Sequence, residues 1–171
     1  VRRLDPQALG DHLDAMYRAA WAMCGSREDA EDLVQETFAR VLARPRLIRG
    51  EERAYLLQAL RNTFSSRLRT QSRRPRTSPL PEDRDPVDPR SPAPDRLAET
   101  AEVLRAISQL PEDFRLALVA VDIVGLSYAE AARALGTREA TITTRLYRAR
   151  RQIAERFGEA REGSSPRRSL A

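Results

Sequence analysis

The chain has no lysine: all 30 of its basic residues are arginine. It has one cysteine, Cys24, and one histidine, His12. A single thiol closes no internal disulfide and supplies no cysteine-based zinc cage. A single imidazole leaves a histidine-centred metal site or catalytic triad without its parts. Glycine is scarce, at 7 of 171 residues, which argues against a turn-rich β-sandwich or barrel. Aromatic residues make up 5%, so any core leans on Leu, Ala, Val and Ile. The longest apolar run, around residues 116–121, falls far short of the roughly 20 residues needed to cross a bilayer, so no membrane insertion is expected. The opening Val1-Arg2-Arg3-Leu4-Asp5 leads into charged sequence and predicts no secretory leader; the expected location is the cytoplasm. There is no glycine-rich phosphate loop, no pair of metal-binding carboxylates and no nucleophile beside a base. The expectation is therefore no catalytic residue, no metal, no cofactor and no enzyme.

What is present suits a small helical protein. Apolar residues are 41% and charged residues 32%, and 171 residues allow one ordinary domain or two small ones. The net charge is +5, with a pI near 10.2, which fits a nucleic-acid partner. Arginine without lysine is most simply the codon bias of a GC-rich genome. Arginine is also the better reader of phosphates and base edges, because its planar fork donates in pairs.

The composition breaks near the middle. Seven of the eleven prolines fall between Arg73 and Asp95: Pro75, Pro79, Pro81, Pro86, Pro89, Pro92 and Pro94. That stretch has little apolar side chain beyond Leu80 and Val87, so it predicts an extended or disordered tether. The organisation predicted is all-α: a helical module over 4–72, a flexible linker over 73–95, a second helical module over 96–158 and a flexible tail over 159–171. In the first module, Leu9, Leu13, Met16, Tyr17 and Ala20 recur at helical spacing. Ser26 with Asp29 three residues on reads as a helix start. The next helix stacks Ala30, Leu33, Val34, Thr37, Phe38, Val41 and Leu42 on one face and ends before Pro45. A third, over about 52–69, carries Leu56, Leu57, Leu60, Phe64 and Leu68. With Val34 inward, the opposite face of the second helix presents Asp29, Asp32 and Glu36, with Gln35 at its edge.

In the second module, Leu97, Ala101, Leu104 and Ile107 mark one helix. Residues 114–124 form a buried helix stopped at Gly125. Ser127 and Glu130 form a capping-box pair for a short helix ending at Leu135. Gly136 makes the turn, and Thr137 caps a long last helix over about 138–157. A short helix, a glycine turn and a long basic helix make a helix-turn-helix pattern. In the last helix Ile142, Leu146, Ala149 and Ile153 form the inward stripe. The outward side holds Ala140, Thr144, Tyr147, Arg148 and Arg151, flanked by Thr141, Thr143 and Arg150, with no acid among them. Such a face suits a major groove, where arginine forks onto guanine and threonine meets a thymine methyl or a phosphate. A solvated arginine-rich surface is the alternative.

These residues also resemble a known family. Leu110-Pro111-Glu112, Gly125-Leu126-Ser127-Tyr128-Ala129-Glu130-Ala131-Ala132, Leu135-Gly136, Thr141-Ile142 and Arg145-Leu146-Tyr147-Arg148-Ala149-Arg150 resemble region 4 of bacterial sigma factors. Asp29-Ala30-Glu31-Asp32-Leu33-Val34-Gln35-Glu36-Thr37-Phe38 resembles region 2. The pairing of the two with nothing folded between them is similar to the extracytoplasmic-function (ECF) class.

The resemblance implies roles for particular positions. Asp29, Asp32, Gln35 and Glu36 would dock on core RNA polymerase. Tyr55, Arg61, Asn62, Ser65 and Arg69 would capture the opened −10 strand, where stacking and phosphate neutralisation suit an aromatic among arginines. Arg138, Thr141, Thr143, Thr144, Tyr147, Arg148 and Arg151 would read the −35 element. Relatives often have a basic residue at the position of Thr143 and a proline-containing start at Arg138-Glu139; these departures leave the class intact and the bound sequence open. The implied partners are core RNA polymerase, promoter DNA and an anti-sigma factor, with the free chain a monomer. A proline-rich tether of this length reaches about 70 Å, and a spacer of roughly 17 base pairs spans about 58 Å, so both elements are within reach at once. Two rivals remain open at this point. A plain helix-turn-helix regulator leaves the acidic face and the third helix idle, and a helical protein-binding adaptor leaves the outward face of the last helix idle.

Overall fold

The computed structural model describes residues 2–4, 8–43, 47–48, 50–73 and 94–163. Among them the chain is all-α apart from a two-residue ribbon, in which β1 (Arg2–Arg3) pairs antiparallel with β2 (Leu47–Ile48). A single 3-10 turn, Ala8–His12, precedes α1 (Leu13–Cys24). Helix α1 stops at Gly25, whose φ of 85° only glycine adopts readily. Ser26 then starts α2 (Arg27–Leu42), its Oγ accepting from the Asp29 N–H at 3.2 Å, as the sequence predicts. Helix α3 (Glu52–Arg73) completes the first module. His12 joins its start, with Nε2 3.1 Å from the Glu52 carboxylate.

The second module opens with α4 (Pro94–Ser108), where proline stands at the first helical position and has no N–H to waste. Helix α5 (Glu112–Leu118) runs into a π-helical turn, Val119–Ile123. The turn shows in the Val124 N–H donating to the Val119 carbonyl, five residues back, at 2.9 Å; past it the Leu126 N–H reaches the Ala120 carbonyl at 3.0 Å. One continuous α-helix over 114–124 is predicted, so this turn is a departure. Helix α6 (Tyr128–Leu135) carries the full capping box of Ser127 and Glu130 and ends at Gly136, φ 66°. Helix α7 (Glu139–Gly163) follows. Its first turn closes on the Arg138 carbonyl, which accepts from Thr141 and Ile142, so Arg138 rather than Thr137 flanks the helix. It also continues past residue 157, into the stretch predicted as a flexible tail. The linker expectation over 74–93 and the tail from 164 onward lie outside the described residues.

Met16, Leu33, Leu56, Leu57 and Leu60 fill the first module, and Val119, Val124, Ile142 and Leu146 the second. Truncating any one of the Leu, Ile or Met residues among these to alanine costs about 2–5 kcal/mol. The sequence predicts two modules that stand apart. In the structure their apolar faces join in one buried cluster. Helix α1 packs against α4 and the π-turn, and α3 packs against α6. The approach at Gly25 is close enough that a Cβ there would meet Ser108 Oγ at 2.7 Å.

Candidate nucleic-acid and polymerase interfaces

Helix α7 is held by its inner stripe and two staples. Ile142, Leu146 and Ala149 are buried. Arg145 donates to Asp113 of α5 at 2.6 Å, and Arg150 grips Asp122 of the π-turn through two bonds of 2.6 and 3.0 Å. The Asp122 hydrogen bond raises the Arg150 pKa, so this arginine stays charged. These surface staples run from α7 to α5 and the π-turn and fix the rotation of α7. Its other side faces solvent: Arg138, Thr143, Thr144, Arg148 and Arg151 are exposed, Tyr147 is 66% exposed, and Thr141 is half-buried. Thr143 and Thr144 donate their hydroxyls to the Glu139 and Ala140 carbonyls at 3.0 Å. With the donor so occupied, each side chain offers a methyl and an acceptor, which suits a thymine methyl better than a phosphate. Arg151 is paired with Glu155 at 2.7 Å, which raises its pKa. Thr143, Tyr147 and Arg151 share a groove of about 520 Å³ with Tyr128 of α6.

The acidic face of α2 divides. Asp29, Asp32 and Gln35 are exposed. Asp29 also takes the Ser26 hydroxyl at 2.8 Å. Glu36 is half-buried and engaged on both sides, with Arg67 of α3 at 2.6 Å and Arg40 at 2.5 Å. Arg67 donates as well to the Asp32 carbonyl at 2.8 Å. Glu36 therefore ties α2 to α3, while its three neighbours keep the outward surface.

The α3 face is part open and part covered. Asn62 and Arg69 are exposed, and Tyr55, Arg61 and Ser65 are half-buried. Arg61 lines a cleft of about 300 Å³ with Glu112, Asp113, Gly136 and Thr137 of the second module. Gln58 donates to the Ala134 carbonyl at 3.1 Å, and Arg53 to the Val124 carbonyl at 3.3 Å. Arg115 lies over the Phe64 ring, 5.7 Å from its centroid. Arg53 carries no local signal that would have marked it, because its partner, the Val124 carbonyl, lies in the other half of the chain.

Among the described residues there is no group of His, Cys, Asp and Glu arranged to hold a metal ion. Among the same residues no helix is long and apolar enough to cross a membrane.

Comparison with known proteins matches both modules in order. Residues 9–74 match the model for Sigma-70 region 2, and residues 100–158 match Sigma-70, region 4. The chain is 36% identical over 154 residues to ECF RNA polymerase sigma factor SigE of Mycolicibacterium smegmatis, covering 87% of this chain and 60% of that protein. It is 34% identical over 165 residues to ECF RNA polymerase sigma factor SigM of Mycobacterium tuberculosis, covering 95% of this chain and 81% of that one. Among solved structures it resembles the sigma factor RpoE of Bartonella quintana, crystallised with the anti-sigma factor NepR. The TM-score is 0.65 and the identity 26%, over 87% of this chain and 93% of that one.

Proposed function

The chain belongs to the ECF sigma factors of the sigma-70 family, and from that premise we propose how its two modules divide the work of starting transcription. The exposed Asp29, Asp32 and Gln35 of α2 dock on core RNA polymerase, with Glu36 holding α3 behind them. The outward face of α7 grips duplex DNA at the −35 element through Arg138, Thr141, Thr143, Thr144, Tyr147, Arg148 and Arg151. An arginine fork on guanine is worth about 1–3 kcal/mol of discrimination. Helix α3 then takes unstacked bases of the −10 strand on Tyr55, Arg61, Asn62, Ser65 and Arg69. Binding only the unstacked form draws the duplex toward the melted state. Two modest contacts on one chain reinforce each other, because the first raises the effective concentration of the second.

The covalent chemistry belongs to the polymerase; this chain binds and performs no reaction of its own. Its place of action is the cytoplasm, and in the free state it is a monomer. The relative RpoE is held by an anti-sigma factor, and a protein of that kind restrains this chain too. The observation that carries the reading is the open, acid-poor face of α7, fixed by a capped helix-turn-helix and joined in one chain to the α2–α3 pair. Run-off transcription with purified core polymerase tests it. Specific transcripts are expected only when the chain is added. Transcripts that need a second sigma factor would make it a plain regulator.

A further inference from the structure

One aromatic beside the α7 face stands outside the residues assigned to DNA. Tyr128, the first residue of α6, keeps 37% of its surface exposed. The capping box of Ser127 and Glu130 fixes its backbone. Its side chain lines the groove that Thr143, Tyr147 and Arg151 share, and Arg150 lines the same groove. Asp122 takes the Arg150 guanidinium along one edge, through Nε at 3.0 Å and Nη2 at 2.6 Å. Nη1 lies outside that pair. The Asp122 hydrogen bond first, and Tyr128 to a smaller degree, raise the Arg150 pKa, so Tyr128 stands beside a guanidinium that stays charged. The clamp has a structural origin: Asp122 is carried by the π-turn, a local widening of the helix that shifts where its side chains emerge.

We propose that Tyr128 is a further contact to the −35 element, its hydroxyl donating to a backbone phosphate, and that Asp122 and Arg150 are its positioning residues. The inference rests on the reading of α7 as the −35 helix. A phenol oxygen accepts from a guanidinium N–H and donates its own proton onward, and the first bond strengthens the second. In a helix-turn-helix the first helix crosses the backbone while the second enters the groove. The start of α6, beside Tyr147, therefore meets the strand that borders the bases under α7. Arg150 is engaged by Asp122, so it flanks this face without neutralising a phosphate itself. Tyrosine supplies register rather than charge, because a neutral donor releases no counterion.

The test is duplex binding by the full chain assembled with core polymerase. The probe is one promoter duplex, selected by the parent holoenzyme from a random-sequence pool. Tyr128→Phe removes only the hydroxyl and is expected to weaken binding about fivefold, with the salt slope unchanged. The charge-neutral pair Asp122→Asn, Arg150→Gln is expected to weaken it by a similar factor, with the salt slope and the helical circular dichroism unchanged. All three changes together are expected to do no more than Tyr128→Phe alone, because they break one contact. Full-strength binding by Tyr128→Phe or by the charge-neutral pair overturns the proposal. So does a multiplied loss in the triple variant, which would make the sites independent. A salt slope shallower by about 0.9 in the charge-neutral pair also overturns it, by making Arg150 a phosphate contact in its own right. The Tyr147→Ala, Arg148→Ala variant separates the two levels. If it loses binding while Tyr128→Phe does not, the −35 reading stands and this inference alone falls.

Discussion

The Cys24 thiol sits half-buried at the end of α1, and burial first, with the Asp29 charge second, pushes its pKa up to about 12. A thiol attacks as its thiolate, so the folded chain holds far less of the reactive form at neutral pH than the unfolded one. A thiol reagent is expected to label Cys24 at least about a hundredfold more slowly in the native chain than in denaturant; equal rates would show that the site is open. On α7 the arginines differ by partner rather than by position. Arg148→Ala is expected to weaken promoter-duplex binding by about 1–3 kcal/mol, and Tyr147→Ala to weaken it as well. Arg151→Ala is expected to do less, because Glu155 already holds that side chain. A gel-shift titration at fixed salt ranks the three. If the Tyr147→Ala, Arg148→Ala double variant binds like the parent, the −35 face lies elsewhere.

Helix ends give the element-scale predictions. Ser127→Ala removes one half of the α6 cap and is expected to cost about 1 kcal/mol, read as a lower midpoint in urea. Glu130 answers the same cap, and hydrogen bonds from the Ser127 hydroxyl and then its backbone N–H hold its carboxyl below the ordinary range. A pKa depressed by folding adds stability above the unfolded value, near 4.5, and loses it as pH falls through the folded value. The Glu130→Gln variant should therefore differ from the parent at neutral pH and converge with it in acid. For the α2–α3 tie, Glu36→Gln is expected to lower stability by about 1 kcal/mol while Asp32→Asn leaves it unchanged and weakens only polymerase binding. The caps at Ser26 and Ser127 and the turn at Gly136 were legible in sequence because each is decided within four residues. The π-turn was not, since β-branched Val119, Val121, Ile123 and Val124 read as plain buried helix by periodicity. Nor was the double engagement of Glu36, because Arg67 stands 31 residues away.

At the scale of the molecule, shared burial ties the halves into one unit. Thermal unfolding followed by circular dichroism and by Trp21 fluorescence is expected to trace a single coincident transition; two separate transitions would mean that the modules melt independently. The module contents, the helix-turn-helix and the outward face of α7 were readable from periodicity and charge. The docking of the halves was not. Arg53 to Val124 and Gln58 to Ala134 join residues 71 and 76 apart, and neither half advertises a partner in its own spacing.

One consequence follows from Tyr147 and Arg148 facing outward while the far side of the helix-turn-helix is tied to α3 through the Gln58–Ala134 bond. On the reading proposed above, paired DNA can be sampled and released repeatedly before a single nucleotide is drawn out of its stack. Such a molecule searches cheaply and commits late: the readable sign upstream is inspected first, and the irrevocable-looking act of prising strands apart waits until the site has been found.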